Sequence, residues 1–451
     1  MFSSVLVANR GEIALRIARS CRELGVRVIM IHSTADRDSP ALRLADQRVQ
    51  IGPATAKRSY LYPPAILEAA LNAGAQAVHP GYGFLSEDAD FAEMCESKGL
   101  TFIGPSPSVI AALGDKTQAR NLAAASGLPV LPGSPAPLRT GQEAKQVADE
   151  IGYPVIIKAV AGGGGRGMAV VRDPRDFLKA CAETRTSAQA VFGDGRVFVE
   201  KYVEHARHIE VQVLGDLHGG IVSLGERDCT VQRRRQKLIE ESPAPGLSAE
   251  LTGRIRQAAV TLARAVGYAG AGTFEFLVDP GGAFYFIEAN CRIQVEHPVT
   301  EMVTGVDLVR EQLLIAAGRP LSLRQRDVEL RGVAIECRVN TEDPRRGFLP
   351  TPGVVERFLP PGGPFTRVDT HGADGVSIGA EYDSLLAKVI VWAPDRDQAI
   401  ARMRRALSEF HVSGRGVCTT IEFLQDILGD ARFQEARHTT SLADIMVAAT
   451  S

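Results

Sequence analysis

The pattern that most constrains the fold is an alternation of apolar and helix-like segments in the first hundred residues. Residues 5–8 form an uninterrupted apolar run, which is typical of a buried strand. After a turn at 9–12, apolar residues recur at helical spacing, and a second apolar run begins after Gly25. The helical positions are Ile13, Ile17, Cys21 and Leu24. This order predicts an open, doubly wound parallel sheet with helices on its faces.

The loop after the third predicted strand of this sheet is rich in glycine. It runs from His79 to Gly83 and contains Tyr82. In open parallel sheets, ligands bind beyond the C-terminal ends of the strands. We therefore expect this loop to border a binding site.

Proline- and glycine-rich stretches divide the rest of the chain. Two of them, near residues 104–107 and 129–137, bracket a linker helix. Strand patterns around a glycine run predict a small separate lobe over 152–203, and residues 208–298 show mainly strand and hairpin patterns. We predict a multidomain α/β and α+β protein, with an N-terminal domain at 1–114, linker helices and a flap lobe at 115–203, a core domain at 204–332 and a mixed α+β C-terminal domain at 333–446.

The composition limits the classes of function. The 451 residues carry a net charge of −2, which argues against a general nucleic-acid or anionic-membrane binder. No apolar run approaches the roughly 20 residues of a membrane span, and the N-terminus lacks the basic start of a signal peptide. The seven cysteines are widely spread and form no Cys-x-x-Cys pair, which fits free thiols. We therefore expect a cytoplasmic protein that binds neither nucleic acid nor membrane.

Lysine is rare in this chain, which has nine lysines against 42 arginines. Because an ammonium is a compact point charge and a guanidinium is a planar fork, we expect lysine where a compact charge is needed. The nine are Lys57, Lys98, Lys116, Lys145, Lys158, Lys179, Lys201, Lys237 and Lys388. Lys98, Lys145 and Lys179 lie in polar, helix-like stretches and are expected at the surface.

A glycine run lies between two predicted strands. The first strand ends in Lys158, the run is 162–167, and the second strand is 168–171. Glycines let the backbone approach a phosphate closely, but here the lysine precedes the glycines, unlike in a Walker A loop. Two interpretations are open, a flap that closes over a nucleotide and a flexible surface hairpin. The scarce lysine at the strand end favours the flap.

Two further strands are separated by a proline–glycine turn and carry carboxylates. If Gly281 and Gly282 form a two-residue turn, Glu275 lies directly across from Glu288. Asn290 then lies two residues further along on the same face. Opposed carboxylates repel each other, and a hard divalent cation with oxygen ligands removes that cost. The pattern therefore predicts a Mg²⁺ site.

The alternative is a solvated carboxylate face without a metal. We disfavour it because Phe284 and Phe286 would share a face with Glu288, which is unusual for plain surface. The argument depends on the register, since a slip of one residue moves every side chain to the other face.

The segment after this hairpin combines an anion donor with a base. In an extended conformation Arg292, Gln294 and Glu296 share one face. A guanidinium and an amide suit a small planar anion, and the adjacent carboxylate can accept its proton. Residues 232–237 add positive charge upstream, for which a solvated face or a nucleic-acid patch is the alternative. The overall acidity and the following Glu240 and Glu241 weaken the nucleic-acid alternative. Arg338 lies inside an apolar strand, where the alternative is a structural ion pair with Glu336 or Asp343.

These residues together indicate a Mg-nucleotide enzyme that also binds a small oxyanion. At the same residues the chain resembles the biotin carboxylases, a family of the ATP-grasp superfamily, over essentially its whole length. The segments that carry the resemblance are 8–14, 79–87, 162–168, 225–229 and 292–301. The resemblance implies an N-terminal α/β domain, a mobile ATP-grasp flap lobe and a large C-terminal domain, with the active site between the last two.

The resemblance also implies a reaction and its partners. Bicarbonate attacks the γ-phosphoryl group of ATP to give carboxyphosphate, which breaks down to CO₂ and phosphate, and N1′ of biotin is carboxylated. The chain contains no Ala-Met-Lys-Met biotinylation motif, so biotin is expected on a separate biotin carboxyl carrier protein. A carboxyltransferase subunit of an acetyl-CoA or other acyl-CoA carboxylase and a homodimer are further expectations.

Individual residues match functional positions of the family. Glu275, Glu288 and Asn290 match the ligands of Mg²⁺ or Mn²⁺, expected as two ions. Glu296 matches the general base, Arg338 the group that stabilises the biotin enolate, and Lys237 and Arg292 two further catalytic residues. Bicarbonate and biotin contacts correspond to Lys237, Arg292, Gln294, Val295, Arg338 and Tyr82. ATP contacts correspond to Lys116, Lys158, Gly164, Gly165, Glu200, Lys201, Tyr202, Val203, His208, Gln232, Arg235 and Leu277.

One departure from the family pattern bears on function. The family commonly has histidine where Arg235 stands next to the triphosphate. Two alternatives to an active biotin carboxylase therefore stay open: a non-catalytic paralogue that binds ATP and scaffolds a carboxylase complex, and a different ATP-grasp ligase. Arg235 is the support for the first, while the 292–296 segment and Arg338 argue against the second.

Overall fold

The N-terminal part of the chain forms the parallel sheet that the sequence predicts. A computed structural model gives the structure of residues 1–134, 136–160 and 167–450. The strand order is β3-β2-β1-β4-β5, and every pair is parallel. The strands are β1 (Ser4–Val7), β2 (Arg27–Ser33), β3 (Gln47–Gly52), β4 (Ala77–His79) and β5 (Thr101–Phe102).

Helices cover both faces of this sheet, which confirms the doubly wound prediction. Helix α1 packs on one face, while α2, α3 and α4 pack on the other. Their bounds are α1 (Gly11–Glu23), α2 (Pro63–Asn72), α3 (Ala89–Ser97) and α4 (Pro107–Gly114). Ile13, Ile17 and Cys21 are buried as predicted. The loop 79–83 follows β4 at the C-terminal edge of the sheet, where a ligand can approach.

A small lobe follows, built on a three-stranded antiparallel sheet of order β7-β6-β8. Its elements, with the helices around it, are α5 (Lys116–Ala125), α6 (Gly141–Ile151), β6 (Val155–Ala159), β7 (Met168–Val171), α7 (Phe177–Phe192) and β8 (Val197–Lys201). Strands β6 and β7 flank the glycine run, whose residues 161–166 lie outside the described part of the chain. The predicted strand–glycine–strand order is therefore confirmed at its two flanks.

The rest of the chain is organised around one eight-stranded antiparallel sheet of order β13-β12-β9-β10-β11-β14-β21-β19. Its first part contains β9 (Arg207–Gly215), β10 (Ile221–Arg233), β11 (Gln236–Ser242), α8 (Ala249–Ala265), β12 (Gly270–Val278), β13 (Phe284–Asn290), α9 (His297–Thr304) and α10 (Leu308–Ala316). The sequence analysis expected mainly strands here and did not identify α8. Because Ser248 caps its first turn and Ile255, Ala259 and Leu262 face the core, α8 is an ordinary amphipathic helix.

The C-terminal part adds β14, β19 and β21 to this sheet, together with short strands and four helices. The elements are β14 (Val333–Asn340), β15 (Glu342–Asp343), β16 (Leu349–Pro350), β17 (Gly353–Val354), β18 (Arg357–Leu359), β19 (Thr366–Thr370), β20 (Ser377–Ile378), β21 (Leu385–Ala393), α11 (Arg396–Glu409), β22 (His411–Ser413), α12 (Ile421–Gly429), α13 (Ala431–Gln434) and α14 (Leu442–Thr450). The helix predicted after β21 is confirmed, with Ile400, Met403, Leu407 and Phe410 buried.

The two faces of β14 have opposite character. Ile335, Cys337 and Val339 pack with apolar residues of α11 and α12. Glu336 and Arg338, which alternate with them, face the other way, toward α9. Neighbouring strands add charges to this second face, with pairs Glu240–Glu336, Arg338–Lys388 and Lys388–Asp369 in register. The sheet therefore carries a buried charged face directed at the N-terminal and core domains.

No helix among residues 1–134, 136–160 and 167–450 has both the length and the apolar character that crossing a membrane requires.

Candidate active site

The two carboxylates of the β12–β13 hairpin lie opposite each other, as the sequence predicts. Glu275 pairs in register with Glu288. The premise about the turn is wrong, because Asp279 and Ala283 close a longer loop. The longer loop alone would shift the pairing of the two strands by one residue. A register shift between Glu275 and Phe276 cancels that offset, so that Glu275 still pairs with Glu288.

The same register shift corrects a second expectation. Phe284 and Phe286 are buried in the core, while Glu288 lies on the other face and is 41% exposed at its side chain. The two phenylalanines therefore do not share a face with Glu288. Its partner is Lys116, whose ammonium lies 3.8 Å from the carboxylate at the start of α5. The predicted nucleotide lysine and the predicted metal carboxylate thus border the same space.

The residues present fit a hard divalent cation. Glu275, Glu288 and Asn290 offer two carboxylates and an amide oxygen, which is the donor set that Mg²⁺ or Mn²⁺ prefers. Asn290 lies close to Glu275, since its Nδ2 donates to Glu275 Oε1 at 2.8 Å. These side chains would hold the metal against the phosphates of a nucleotide.

One ammonium joins three buried carboxylates at the centre of the site. Lys237 Nζ donates to Glu210 at 2.6 Å, to Glu275 at 2.9 Å and to Glu296 at 2.6 Å. Burial disfavours the charged ammonium, but the three carboxylates outweigh it and raise the pKa of Lys237 well above its usual value. The side chains of His208, Glu210 and Glu275 are close enough to share a cation, and so are Glu210, Cys229 and Glu296. In this structure Lys237 supplies positive charge to all three carboxylates, and Arg227 and Arg338 add positive charge at Glu210 and Glu296.

Glu296 is held in its ionised form from two sides. It is the N-cap of α9 and is fully buried. Lys237 contacts one carboxylate oxygen, and Arg338 Nη2 donates to the other at 2.8 Å. Burial alone raises the pKa of the Glu296 carboxyl, but Lys237 and Arg338 outweigh it and lower the pKa well below its usual value. Glu296 is thus ionised and carries no proton, which is the state that a general base requires.

Arg338 does not make the structural ion pair that was the alternative for it. Its partners are Glu240, from Nε at 2.6 Å, and Glu296. Glu336 lies beside it on β14, and neither carboxylate oxygen of Glu336 has a hydrogen-bond partner among the described residues. Burial raises the pKa of both Glu240 and Glu336, to about 7 for Glu240. Arg338 therefore bridges the base to a carboxyl that is easily protonated.

The anion segment is not extended as the sequence analysis expected. Residues 291–296 form bends and a turn before α9. Arg292 and Gln294 nevertheless meet, because Arg292 Nη1 donates to Gln294 Oε1 at 2.9 Å. Arg292 Nε also donates to Glu87 at 2.7 Å, and Gln294 Nε2 approaches Glu275 at 3.4 Å. The turn thus places a guanidinium and an amide beside the metal carboxylates.

The predicted nucleotide residues lie on both sides of the cleft between the flap lobe and the large sheet. Lys158 and Glu200 form an ion pair across β6 and β8. On the sheet side, His208 Nε2 pairs with Glu275 at 2.8 Å, and Gln232 Nε2 lies 3.4 Å from His208 Nδ1. Leu277 is the cross-strand neighbour of His208. The predicted nucleotide residues are thus divided between the flap lobe and the large sheet.

The segment after β8 lines a crevice of about 360 Å³. Lys201, Tyr202 and Val203 contribute to its wall, whereas Leu277 and His208 do not. The ammonium of Lys201 donates to the carbonyls of residues 152 and 153 at 3.0 and 3.1 Å. The Lys201 side chain is thus engaged with the flap backbone.

Two of the remaining predicted ATP contacts, Gly164 and Gly165, lie outside the described residues. Arg235 lies with Arg234 in the two-residue turn between β10 and β11, with φ of +67° and +46°. Such angles are rare for residues with a Cβ, and backbone strain of this kind collects at functional sites. Burial lowers the pKa of Arg235 from its usual value. The turn places the Arg235 side chain within electrostatic range of Tyr202 and Asp444.

Comparison with known proteins agrees with this geometry. The family model "Biotin carboxylase, N-terminal domain" matches residues 1–110, "Carbamoyl-phosphate synthase L chain, ATP binding domain" matches 115–324, and "Biotin carboxylase C-terminal domain" matches 336–444. Biotin carboxylase of Pseudomonas aeruginosa is 53% identical over 434 residues, which is 96% of each chain. That of Nostoc is 51% identical over 445 residues, or 99% of each chain. The chain belongs to the biotin carboxylase family.

Solved structures of this family superpose closely on the chain. The Campylobacter jejuni biotin carboxylase–βγ-ATP complex is 46% identical, with a TM-score of 0.96 over 99% of both chains. The biotin carboxylase domain dimer of Hydrogenobacter thermophilus 2-oxoglutarate carboxylase, in complex with MgADP, ADP and bicarbonate, is 45% identical. Its TM-score is 0.97 over 100% of this chain and 99% of that one. The expected fold class is confirmed, and the chain is an ATP-grasp enzyme of the biotin carboxylase family.

Several residues that shape this biotin carboxylase site were not identified from the sequence. Glu87 pairs with Arg292, Glu210 with Lys237, and Glu240 with Arg338. A signal existed for Glu210, since 208, 210 and 212 are polar at strand spacing, as is typical of one face. Glu87 and Glu240 carry no such local signal, because their partners come from distant parts of the chain.

Tyr82 and Val295 complete the set of predicted contacts. The hydroxyl of Tyr82 donates to Glu12 at the start of α1. The carbonyl of Val295 accepts from Lys388 at 2.9 Å. Because Glu12 lies 3.1 Å from Lys388, both residues lie where the N-terminal domain meets the large sheet.

The raised pKa of Glu240 predicts how stability varies with pH. Burial holds this pKa at about 7, above the ordinary 4.5, despite the guanidinium of Arg338. Between these values the folded state binds a proton that the unfolded state releases, so this group makes stability fall as the pH rises. We expect Glu240→Gln to remove that slope, so that the variant gains stability relative to wild type between about pH 5 and about pH 7.5. Urea denaturation of both proteins at the two pH values measures their free energies of unfolding. The expectation would be contradicted if the difference between variant and wild type were the same at both pH values.

Proposed function

We propose that this chain catalyses the ATP- and bicarbonate-dependent carboxylation of biotin, through carboxyphosphate, as the biotin carboxylase component of an acyl-CoA carboxylase. The observation that carries the proposal is the environment of Glu296. An ionised, fully buried carboxylate lies between Lys237 and Arg338, beside the Arg292–Gln294 pair. This arrangement offers a base and anion donors within one cluster of side chains, which a simple nucleotide-binding scaffold does not need.

The nucleotide is proposed to bind between the flap lobe and the large sheet. Lys116, Lys158 and Arg235, with Gly164 and Gly165, would contact its phosphates, since three of these residues are cations at the cleft. The base would lie against Glu200, Lys201, Tyr202, Val203, His208, Gln232 and Leu277. Glu275, Glu288 and Asn290 would hold one or two Mg²⁺ or Mn²⁺ ions, which when bound neutralise the charge of the phosphates.

Bicarbonate is proposed to bind to Arg292, Gln294, Lys237 and the backbone of Val295. Glu296 accepts the proton of bicarbonate, and the bicarbonate oxygen attacks the γ-phosphoryl group while ADP leaves. The carboxyphosphate then breaks into CO₂ and phosphate. The released phosphate accepts the proton of N1′, and the charge that develops on the ureido oxygen of biotin is stabilised by Arg338. N1′ then attacks the carbon of CO₂, which forms the N–C bond of carboxybiotin. Tyr82 borders the same position from the N-terminal domain.

The partners follow from the reaction. Biotin is proposed to arrive on a separate carrier protein, and a carboxyltransferase subunit to take the carboxyl group to the acyl-CoA. We propose a homodimer, in line with the dimeric Hydrogenobacter domain. All seven cysteines are free, which fits a reducing compartment such as the cytoplasm.

The test is ADP release from Mg-ATP with and without bicarbonate, followed by addition of biotin at high concentration. The proposal expects release that requires bicarbonate and rises with biotin. Nucleotide binding without turnover, also with a biotinylated carrier and in the variant Arg235→His, would overturn it in favour of a scaffold. Release that depends on another acid or amine substrate would indicate a different ATP-grasp ligase.

A further inference from the structure

One scarce lysine lies outside the set of predicted site residues, and its surroundings are unusual. Lys388 is on β21 and has an exposed fraction of 0%. Its ammonium donates to the carbonyl of Val295 at 2.9 Å and lies 3.1 Å from Glu12 Oε1. Asp369 is farther away, at 3.8 Å. The three nearest partners thus come from the site loop, the N-terminal domain and the neighbouring strand β19.

Lys388 contacts the backbone carbonyl of Val295, the residue directly before the proposed base. The Val295 carbonyl belongs to the peptide plane that joins Val295 to Glu296. Holding this oxygen fixes the orientation of that plane, and with it the start of the Glu296 side chain at the N-terminus of α9. Lys388 therefore acts on the proposed base and on the proposed anion contact through one hydrogen bond.

The contact with Glu12 connects the same ammonium to Tyr82. Glu12 Oε1 accepts from the Tyr82 hydroxyl and is the oxygen nearest to Lys388. The other oxygen, Glu12 Oε2, is buried with no hydrogen-bond partner among the described residues. Lys388, Glu12 and Tyr82 thus form a chain from β21 to the loop after β4, and its end is the hydroxyl that borders the proposed biotin position.

The chemistry of lysine suits this position. Lys388 is the in-register neighbour of Arg338 on the charged face of the sheet. Removing an ammonium from water costs several kcal/mol before its partners compensate, so a buried lysine is a costly way to connect domains. In a chain with nine lysines and 42 arginines, arginine is the common cation, but its planar fork is larger than the point charge that fits between one carbonyl and one carboxylate.

We propose that Lys388 is a positioning residue of the carboxylation site, which together with Glu12 orients the Val295–Glu296 backbone and the Tyr82 hydroxyl. This inference rests on the proposed function. It assigns to the C-terminal and N-terminal domains a role in aligning bicarbonate and biotin, while the nucleotide is bound elsewhere in the site. If Lys388 has this role, its loss should lower kcat/KM for bicarbonate and biotin and leave nucleotide binding unchanged. Loss of a merely structural ion pair would not separate these two effects.

The experiment compares Lys388→Met with Arg396→Met. Arg396 is the control, because it is a cation of the C-terminal domain with a side chain only 15% exposed, and it pairs with a buried glutamate, Glu241, on the face of β11 opposite Glu240. For Lys388→Met we expect kcat/KM for bicarbonate and for biotin to fall about 10- to 100-fold, since small displacements of reacting groups cost that much. The KM for Mg-ATP and the affinity for MgADP should stay within about twofold of wild type. For Arg396→Met both sets of parameters should stay near wild type, whatever its loss in Tm.

The outcomes are distinguishable. If wild type releases no ADP in response to bicarbonate, the proposed function fails. If wild type turns over and Lys388→Met resembles Arg396→Met, or loses affinity for nucleotide and bicarbonate equally, only this inference is overturned. If Lys388→Met does not fold, Glu12→Gln decides, because it keeps the size of the side chain and removes its charge. We expect Glu12→Gln to lower kcat/KM for biotin by about tenfold with unchanged MgADP affinity, and wild-type kinetics would overturn the inference.

Discussion

Glu296→Gln is expected to lower bicarbonate-dependent ADP release by about 10²- to 10⁴-fold, the range over which a general base contributes. Glutamine keeps the size of the side chain, but its single carbonyl oxygen can accept from Lys237 or from Arg338 and not from both, and its amide cannot accept a proton from bicarbonate. Because Glu296 contacts neither wall of the proposed nucleotide cleft, the affinity for MgADP should stay within about twofold of wild type. Coupled assay of ADP release and calorimetric titration of MgADP measure the two effects.

The matched control for this variant is Glu241→Gln. Glu241 is also a buried glutamate that pairs with an arginine, but its partner Arg396 lies on the opposite side of the strand from Glu240. The control should lose stability and keep its turnover. If Glu296→Gln retained more than about a tenth of the wild-type rate, the assignment of the base would be wrong.

Lys237→Met is expected to have the largest effect on stability. The substitution leaves Glu210, Glu275 and Glu296 buried without the ammonium that they share. Breaking a buried ion pair by removing one partner costs about 3–5 kcal/mol, and here three carboxylates lose the same partner. We expect the free energy of unfolding to fall by an amount in this range near about pH 8, and bicarbonate-dependent turnover to be lost. Urea denaturation monitored by circular dichroism and the ADP assay measure both.

The pH dependence of this loss has a definite sign. In wild type Lys237 lowers the pKa of Glu275 and Glu296, so neither binds a proton at neutral pH. Burial already raises the pKa of Glu210 in wild type, and removal of Lys237 raises the pKa of all three carboxyls further. The folded variant therefore binds more protons than wild type at a pH where the unfolded state has released them. The variant should therefore be least destabilised near about pH 5 and increasingly destabilised toward about pH 8. A loss that is equal at both pH values would contradict this account of the Lys237 cluster.

Local patterns were sufficient for the elements that bury one face. The alternation in the first hundred residues predicts the parallel sheet because helices and strands have different periods, 3.6 and 2 residues. The same reasoning did not identify α8, because the segments on both sides of it have strand patterns and the whole region was therefore expected to contain mainly strands. It also placed Phe284 and Phe286 on the same face as Glu288. The irregularity in the β12–β13 ladder inserts one extra residue between them, and no residue type in the sequence indicates its position.

The pairing of Glu275 with Glu288 was predicted from a wrong turn. The loop is longer than two residues, and the irregularity in the ladder cancels the difference. The anion segment shows the same limit, since Arg292 and Gln294 meet across a turn and not along a strand. In both cases the residue types indicated the chemistry, while the backbone path that brings them together depended on packing against neighbouring elements.

The sequence by itself determined which chemical groups this protein has for its function: the glycine run after Lys158, the carboxylates of the hairpin, the Arg292–Glu296 segment and the scarce lysines. Those signals are local, because they depend on residue type and spacing along a few residues. Only the tertiary structure decided that Lys237 joins three carboxylates, that Arg338 faces Glu296 and Glu240, and that Lys388 contacts Val295 and Glu12. These partners are tens to hundreds of residues apart, and a buried charge takes whichever opposite charge the packed domains place within a few ångströms, a choice that spacing along the chain does not encode.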